Sequence, residues 1–156
     1  MKVRALVPKG EEVDEGDIKI VVTDKEGREF KISTILNVPY LFRLVETLHS
    51  VIEFLDQRMD ILSEPEVRIQ PMLLDFLSFI LEGIEKEVDI SNDNRLYKLR
   101  TKVESLKYKD CKMTRDIYRE LLDVQTMLFE VINPLYSIMD DDEWFEELYD
   151  KGENVL

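Results

Sequence analysis

The chain has 156 residues, 44% apolar and 35% charged, with a formal charge of −13. That length suits one domain with a real core, and the composition excludes a disordered chain. The acidic balance argues against general binding to nucleic acid or to an anionic membrane. Cys111 is the sole cysteine, so no internal disulfide can form, which fits a reducing compartment. Met1-Lys-Val-Arg lacks the apolar core of a signal peptide. The apolar run from Met72 to Leu81 is interrupted by Asp75 and Ser78 and has about half the length of a membrane span. The expected location is cytoplasmic or nuclear.

Residues 2–7 read as a first strand, followed by a solvated acidic loop with five acids between 11 and 17. Ile18, Ile20 and Val22 alternate with Lys19, Val21 and Thr23, the period of a strand with a buried face. Asp24-Lys-Glu-Gly27 is a short turn ending in the residue that best accepts a left-handed conformation. Residues 28–33 then return as a strand with Phe30 and Ile32 on one face.

Pro39 opens a helix running to about Met59, with Leu41, Leu44, Val45, Leu48, Ile52, Leu55 and Met59 as its apolar face. Arg43, Glu46, Ser50, Glu53 and Gln57 lie opposite. Val67-Arg-Ile69 is a short strand. Pro71 starts a second helix to about Lys86, with Leu73, Phe76, Leu77, Ile80 and Ile84 toward the core and Met72, Phe79 and Leu81 widening the band. A band that wide marks a helix that is central or shared with a partner. Ser91-Asn-Asp-Asn94 is a capping cluster for a helix carrying Leu96, Leu99, Val103 and Leu106. Thr114 caps the next helix, which carries Ile117, Leu121, Val124, Leu128 and Val131 and stops or kinks near Asn133-Pro134. A last short helix is expected over 142–149.

The order of these elements resembles the BTB/POZ family. The entry Asp17-Ile-Lys-Ile-Val-Val, the glycine turn, the Phe30 strand and Leu36-Asn-Val-Pro-Tyr40 match that family's opening. Val67-Arg-Ile69, Pro71, Phe79-Ile-Leu-Glu-Gly83 and Ile90-Ser follow in the family's order. The resemblance covers about 17–111. It implies an α+β fold, a small N-terminal sheet packed on a helical bundle, with extra C-terminal helices. Residues 1–111 would form the core and 112–156 a helical extension. It also implies a non-catalytic adaptor or assembly module, either self-associating as a homodimer or joining a cullin-type ubiquitin ligase complex. The chain departs from the family at Ser33, where many members have His. Leu62-Ser-Glu64 has the apolar-x-Glu form of the cullin-contacting triplet but lies closer to Val67 than usual.

Charge marks two further segments. Residues 95–115 carry a local charge of +6 and residues 140–156 one of −7. In the latter, Trp144, Phe145, Leu148 and Tyr149 share one helical face among the acids. Such a segment can dock in a basic, apolar groove or simply finish a core. With Leu62, Glu64 and Phe79, these four are the candidate partner-binding residues.

Catalytic constellations are weak. His49, between Glu46 and Glu53, reads as an exposed histidine on a solvated face rather than a base. Cys111 reads as a packed helix-end thiol. The sequence has no phosphate loop and no Cys/His zinc set, so no enzyme activity, cofactor or metal is expected. The alternative reading is an acidic inhibitor that mimics nucleic acid in a partner's basic groove.

Overall fold

The computed structural model describes residues 2–6, 18–62, 66–139 and 154–155. Its strands are β1 (Lys2–Leu6), β2 (Lys19–Thr23), β3 (Glu29–Ile32), β4 (Glu66–Arg68), β5 (Val88–Ile90), β6 (Lys112–Thr114) and β7 (Asn154–Val155). Its helices are α1 (Val38–Leu62), α2 (Pro71–Glu87), α3 (Arg95–Ser105) and α4 (Arg115–Met139). The class is α+β, as expected. Two compact units are present: one holds Met1–Arg43, Lys86–Asp93 and Phe129–Leu156, the other Leu44–Glu85 and Asn94–Leu128.

The first unit is built on a five-stranded sheet in the order β5-β3-β2-β1-β7. The pairs β1/β2, β2/β3 and β3/β5 are antiparallel, and β1/β7 is parallel. Register aligns two rows across four strands: Val3, Val22, Phe30 and Ile90, then Ala5, Ile20, Ile32 and Val88. All eight side chains are buried. The alternating pattern of β2 therefore becomes a continuous apolar face two side chains deep. Each fully buried aliphatic or aromatic chain contributes about 1.5–3 kcal/mol.

The β2–β3 turn fixes that register. Gly27 has φ +83°, and its amide donates to the Asp24 carbonyl at 3.1 Å. Asp24 Oδ1 accepts from the amides of Glu26 (3.0 Å) and Arg28 (2.8 Å), and Oδ2 accepts from Arg28 Nε at 2.7 Å. Within the same unit, Glu87 accepts from Ser33 Oγ at 2.6 Å and Asn37 Nδ2 at 3.0 Å. Phe42 stacks on Tyr136 with ring centroids 4.1 Å apart.

In the second unit, β4 and β6 form a two-stranded antiparallel sheet with Val67 opposite Met113, both buried. Every residue expected on the apolar face of α1 is buried, and every residue expected opposite is exposed. On α3, Leu96, Leu99 and Val103 are buried as expected, as is Leu106 just beyond it.

Several local expectations are corrected. The cluster at 91–94 serves as a turn rather than as a set of caps. Asn92 takes φ +59°, the Asp93 amide donates to the Ile90 carbonyl at 3.1 Å, and Asn94 makes no side-chain cap bond. Asn and Asp tolerate the left-handed region better than other side chains, which explains the composition without capping. Of the stop or kink expected near Pro134, the stop does not occur, and helix α4 continues to Met139. Pro134 sits on the exposed face, where water can satisfy the carbonyl its ring leaves without a donor. Thr114 does cap α4, its Oγ1 accepting from the Ile117 amide at 3.3 Å. Strand β5 was not expected, because three residues directly after a helix carry little periodicity. The final segment expected as a helix, 142–149, lies outside the described residues.

Two outcomes test the turn. Gly27→Ala is expected to cost about 1 kcal/mol in urea denaturation, from backbone conformation alone, since a Cβ there meets nothing within 4 Å. Burial would raise the Asp24 pKa, but the Arg28 guanidinium and the turn amides overcome it and hold it below its ordinary value of 3.8. A lowered folded pKa stabilises above the unfolded value and loses that stabilisation as pH falls through the folded one. Asp24→Ala is therefore expected to destabilise by roughly 1–2 kcal/mol at neutral pH. The difference from wild type should shrink in acid below the ordinary carboxylate pKa. A pH-independent difference would remove the electrostatic account.

Candidate partner-binding surface

Helix α2 has apolar residues on nearly all sides, and its neighbours decide which are covered. Gln70 starts it: its carbonyl accepts from the amides of Leu73 (3.0 Å) and Leu74 (3.2 Å), and Pro71 occupies the first position. Leu74, Leu77, Ile80, Leu81 and Ile84 are buried. Met72, Phe76 and Phe79, spaced by four and three, form a stripe on the opposite side. Met72 is 79% exposed, Phe79 66% and Phe76 46%. This corrects the expected core face. Phe76 points outward, Leu74 points inward, and the buried arc is centred away from Phe76.

Ion pairs to other elements of the second unit brace α2. Arg100 on α3 donates from Nε to Glu85 at 2.5 Å and from Nη1 to Glu104 at 2.9 Å. Its hydrogen bonds to Glu85 and then to Glu104 push its pKa still higher, so it is permanently charged. Lys107, in the 3-10 turn Leu106–Tyr108, pairs with Asp75. Lys102 pairs with Glu120 at 2.7 Å. Arg100, Lys102 and Lys107, three of the eight basic side chains in 95–115, are thus matched within the unit.

Beside the start of α2 lies a groove of about 260 Å³. It is lined by Phe54 and Arg58 of α1, by Arg68, Ile69 and Gln70 at β4 and just after it, and by Leu73 of α2. The Arg58 guanidinium sits 5.8 Å from the centre of the Phe54 ring. Phe54 itself is 47% exposed.

A second, wider cleft lies between α1 and α4 within the same unit. His49 Nδ1 is 2.8 Å from Gln125 Oε1, and His49 Nε2 is 2.9 Å from Glu53. The Tyr118 hydroxyl donates to Asp56 at 2.6 Å. Gln125 is the buried polar side chain of the described core. His49 is therefore more than a histidine on a solvated face: it joins two helices across 76 residues of sequence. The Glu53 neighbour was legible from i,i+4 spacing, whereas Gln125 had no local signal. The arrangement is a polar clasp with its groups matched to one another.

Of the residues singled out from sequence, Phe79 lies on the exposed stripe. Leu62 ends α1, and its side chain lies outside the described residues, as do Glu64, Trp144, Phe145, Leu148 and Tyr149. Phe54, Arg58, Arg68 and Met72 were not picked out for binding, because no local pattern separates them from ordinary helix and strand residues. Cys111 is half-buried in a left-handed turn (φ +53°), its thiol directed at the Lys107 carbonyl. Among the described residues, no group of three or more His, Cys, Asp or Glu could hold a metal ion. No helix of the described residues is long and apolar enough to cross a membrane.

No protein-family model matches the chain, and no curated protein or solved structure matches it.

Arg100 offers a direct check on the bracing of α2. Arg100→Met leaves Glu85 and Glu104 without their guanidinium and is expected to cost roughly 1–3 kcal/mol. Hydrogen exchange should rise in α2 and α3 together. Exchange that rises in α3 alone would show that the pair does not hold α2.

Proposed function

We propose that this chain is a non-catalytic protein–protein interaction module, an adaptor or assembly unit that binds a partner protein through the outer face of α2. The observation that carries the reading is the stripe of Met72, Phe76 and Phe79, left uncovered on a helix whose other side is packed and ion-paired. Contiguous exposed apolar side chains on a braced element are a usual mark of a binding surface. The element order of hairpin, helix, short strand and proline-started helix is in keeping with the BTB/POZ resemblance. That resemblance also suggests a finer reading, membership in a cullin-type ubiquitin ligase complex through the triplet Leu62-Ser-Glu64. Fold and function are separable, so that finer reading rests on its own experiment.

The module reading is tested with Met72→Glu/Phe79→Glu, two changes at exposed positions that should leave the melting temperature within about 2 °C of wild type. Light scattering reports a homodimer, and affinity capture reports a different partner. The reading expects wild type to show one of these and the double variant to lose it. A wild type that is monomeric and captures only what the double variant captures would overturn it. For the finer reading, calorimetric titration with a purified cullin N-terminal region should give heat that Glu64→Ala abolishes. No heat, or heat indifferent to Glu64, would remove the ligase link and leave the module reading standing.

A further inference from the structure

We infer that the groove beside the start of α2 takes an acidic peptide segment of a partner protein, with an aromatic or large aliphatic side chain in the groove and flanking carboxylates on Arg58 and Arg68. The inference rests on the interaction-module reading and names the chemistry of its partner.

Charge carries the argument furthest. The chain has 34 acidic and 21 basic side chains. In such a chain a cation has carboxylates to choose from. Arg4, Arg28, Arg100, Lys102 and Lys107 each pair with one. Arg58 and Arg68 have no ion pair among the described residues, and none of the described residues lining the groove is an acid. Two guanidiniums with no carboxylate partner among the described residues, at the rim of an apolar hollow, complement an anion placed next to an apolar group. The Phe54 ring holds the Arg58 head group in place without neutralising it.

Size and floor define the rest of the occupant. A volume of about 260 Å³ is below the roughly 300–1,000 Å³ of sites for drug-sized ligands and cofactors. It suits one anchoring side chain of a longer segment. Phe54, Ile69 and Leu73 supply the apolar contact. Met72 and Phe76, on the same helix as Leu73, extend apolar surface beyond it.

A carboxylate fits better than a phosphate. Phosphate sites at helix starts use free backbone amides. Here Pro71 has none, and the Leu73 and Leu74 amides already donate to Gln70. The charged donors at the groove are the Arg58 and Arg68 side chains, from two different elements. A second copy of this chain is disfavoured as the occupant by repulsion between two bodies of charge −13.

The test uses the full chain and a fluorescein-labelled synthetic peptide foreign to it, Glu-Glu-Asp-Trp-Phe-Asp-Glu-Leu, which sets Trp and Phe among acids. Anisotropy should show saturable binding that weakens with added salt. Arg58→Glu and Arg68→Glu should each weaken it about tenfold or more. Replacing the peptide's acids by their amides, or its Trp and Phe by Ala, should do the same. Both arginines are exposed, and Arg58→Gln and Arg68→Gln provide milder variants should either reversal disturb folding. Binding indifferent to all four arginine variants, or no saturable binding, overturns the proposal. A full-length dimer that Arg58→Glu dissolves also overturns it, because the occupant is then a second copy. Loss of capture in Met72→Glu/Phe79→Glu with arginine-independent peptide binding would sink this inference alone. Arginine-dependent peptide binding without any partner that depends on the α2 face would instead sink the reading of that face.

Discussion

The first sheet depends on its register, and the register depends on one turn. Side chains alternate between faces along a strand, so a slip of one residue in the β2–β3 hairpin would turn Ile20 and Val22 away from the face they share with Phe30 and Ile32. The turn prevents this with two devices of different kinds. Gly27 accepts a backbone conformation that other residues take only with strain. Asp24 gathers two amides and a guanidinium onto one carboxylate. Strand β1 adds Val3 and Ala5 to the rows so aligned, and β5 adds Ile90 and Val88. β5, three residues long, inherits its register from β3.

The second unit faces a different constraint. Its helix α2 is too apolar to specify its own orientation. Burial of Leu74, Leu77 and Ile80 selects one arc, and the pairs Glu85–Arg100 and Asp75–Lys107 add polar contacts to neighbouring elements. An exposed ion pair contributes little by itself. Arg100 is different, because its fork is largely covered and engages two carboxylates. The result is a helix held in one rotation about its axis, with Met72, Phe76 and Phe79 left toward solvent.

Charge distribution separates structural from available cations. The basic segment 95–115 looks like a binding surface when its charges are summed, yet Arg100, Lys102 and Lys107 are committed to carboxylates of the same unit. Arg58 and Arg68 attract no notice in the sequence, each standing alone in its own segment. They meet at the groove only because the end of α1 and the strand β4 adjoin it together. A local charge sum counts cations without their partners, so it does not separate these three from unmatched ones.

The sequence by itself determined what short-range periodicity can encode. The β2–β3 hairpin, the buried face of α1, the proline start of α2 and the stripe of α3 all follow from spacing within a few residues, where side-chain direction is set by the backbone. The α+β class follows from the same patterns. Tertiary structure decided what needs distant neighbours. Strand β5 exists because β3 offers it a ladder. Phe76 faces outward because other residues of α2 cover the available core. His49 meets Gln125 from a different helix. Pro134 leaves α4 unbroken because it falls on the wet side of the helix. The candidate groove belongs to this second group. Its apolar floor and its two arginines come from three separate stretches of chain, and no periodicity within any of them records that they converge.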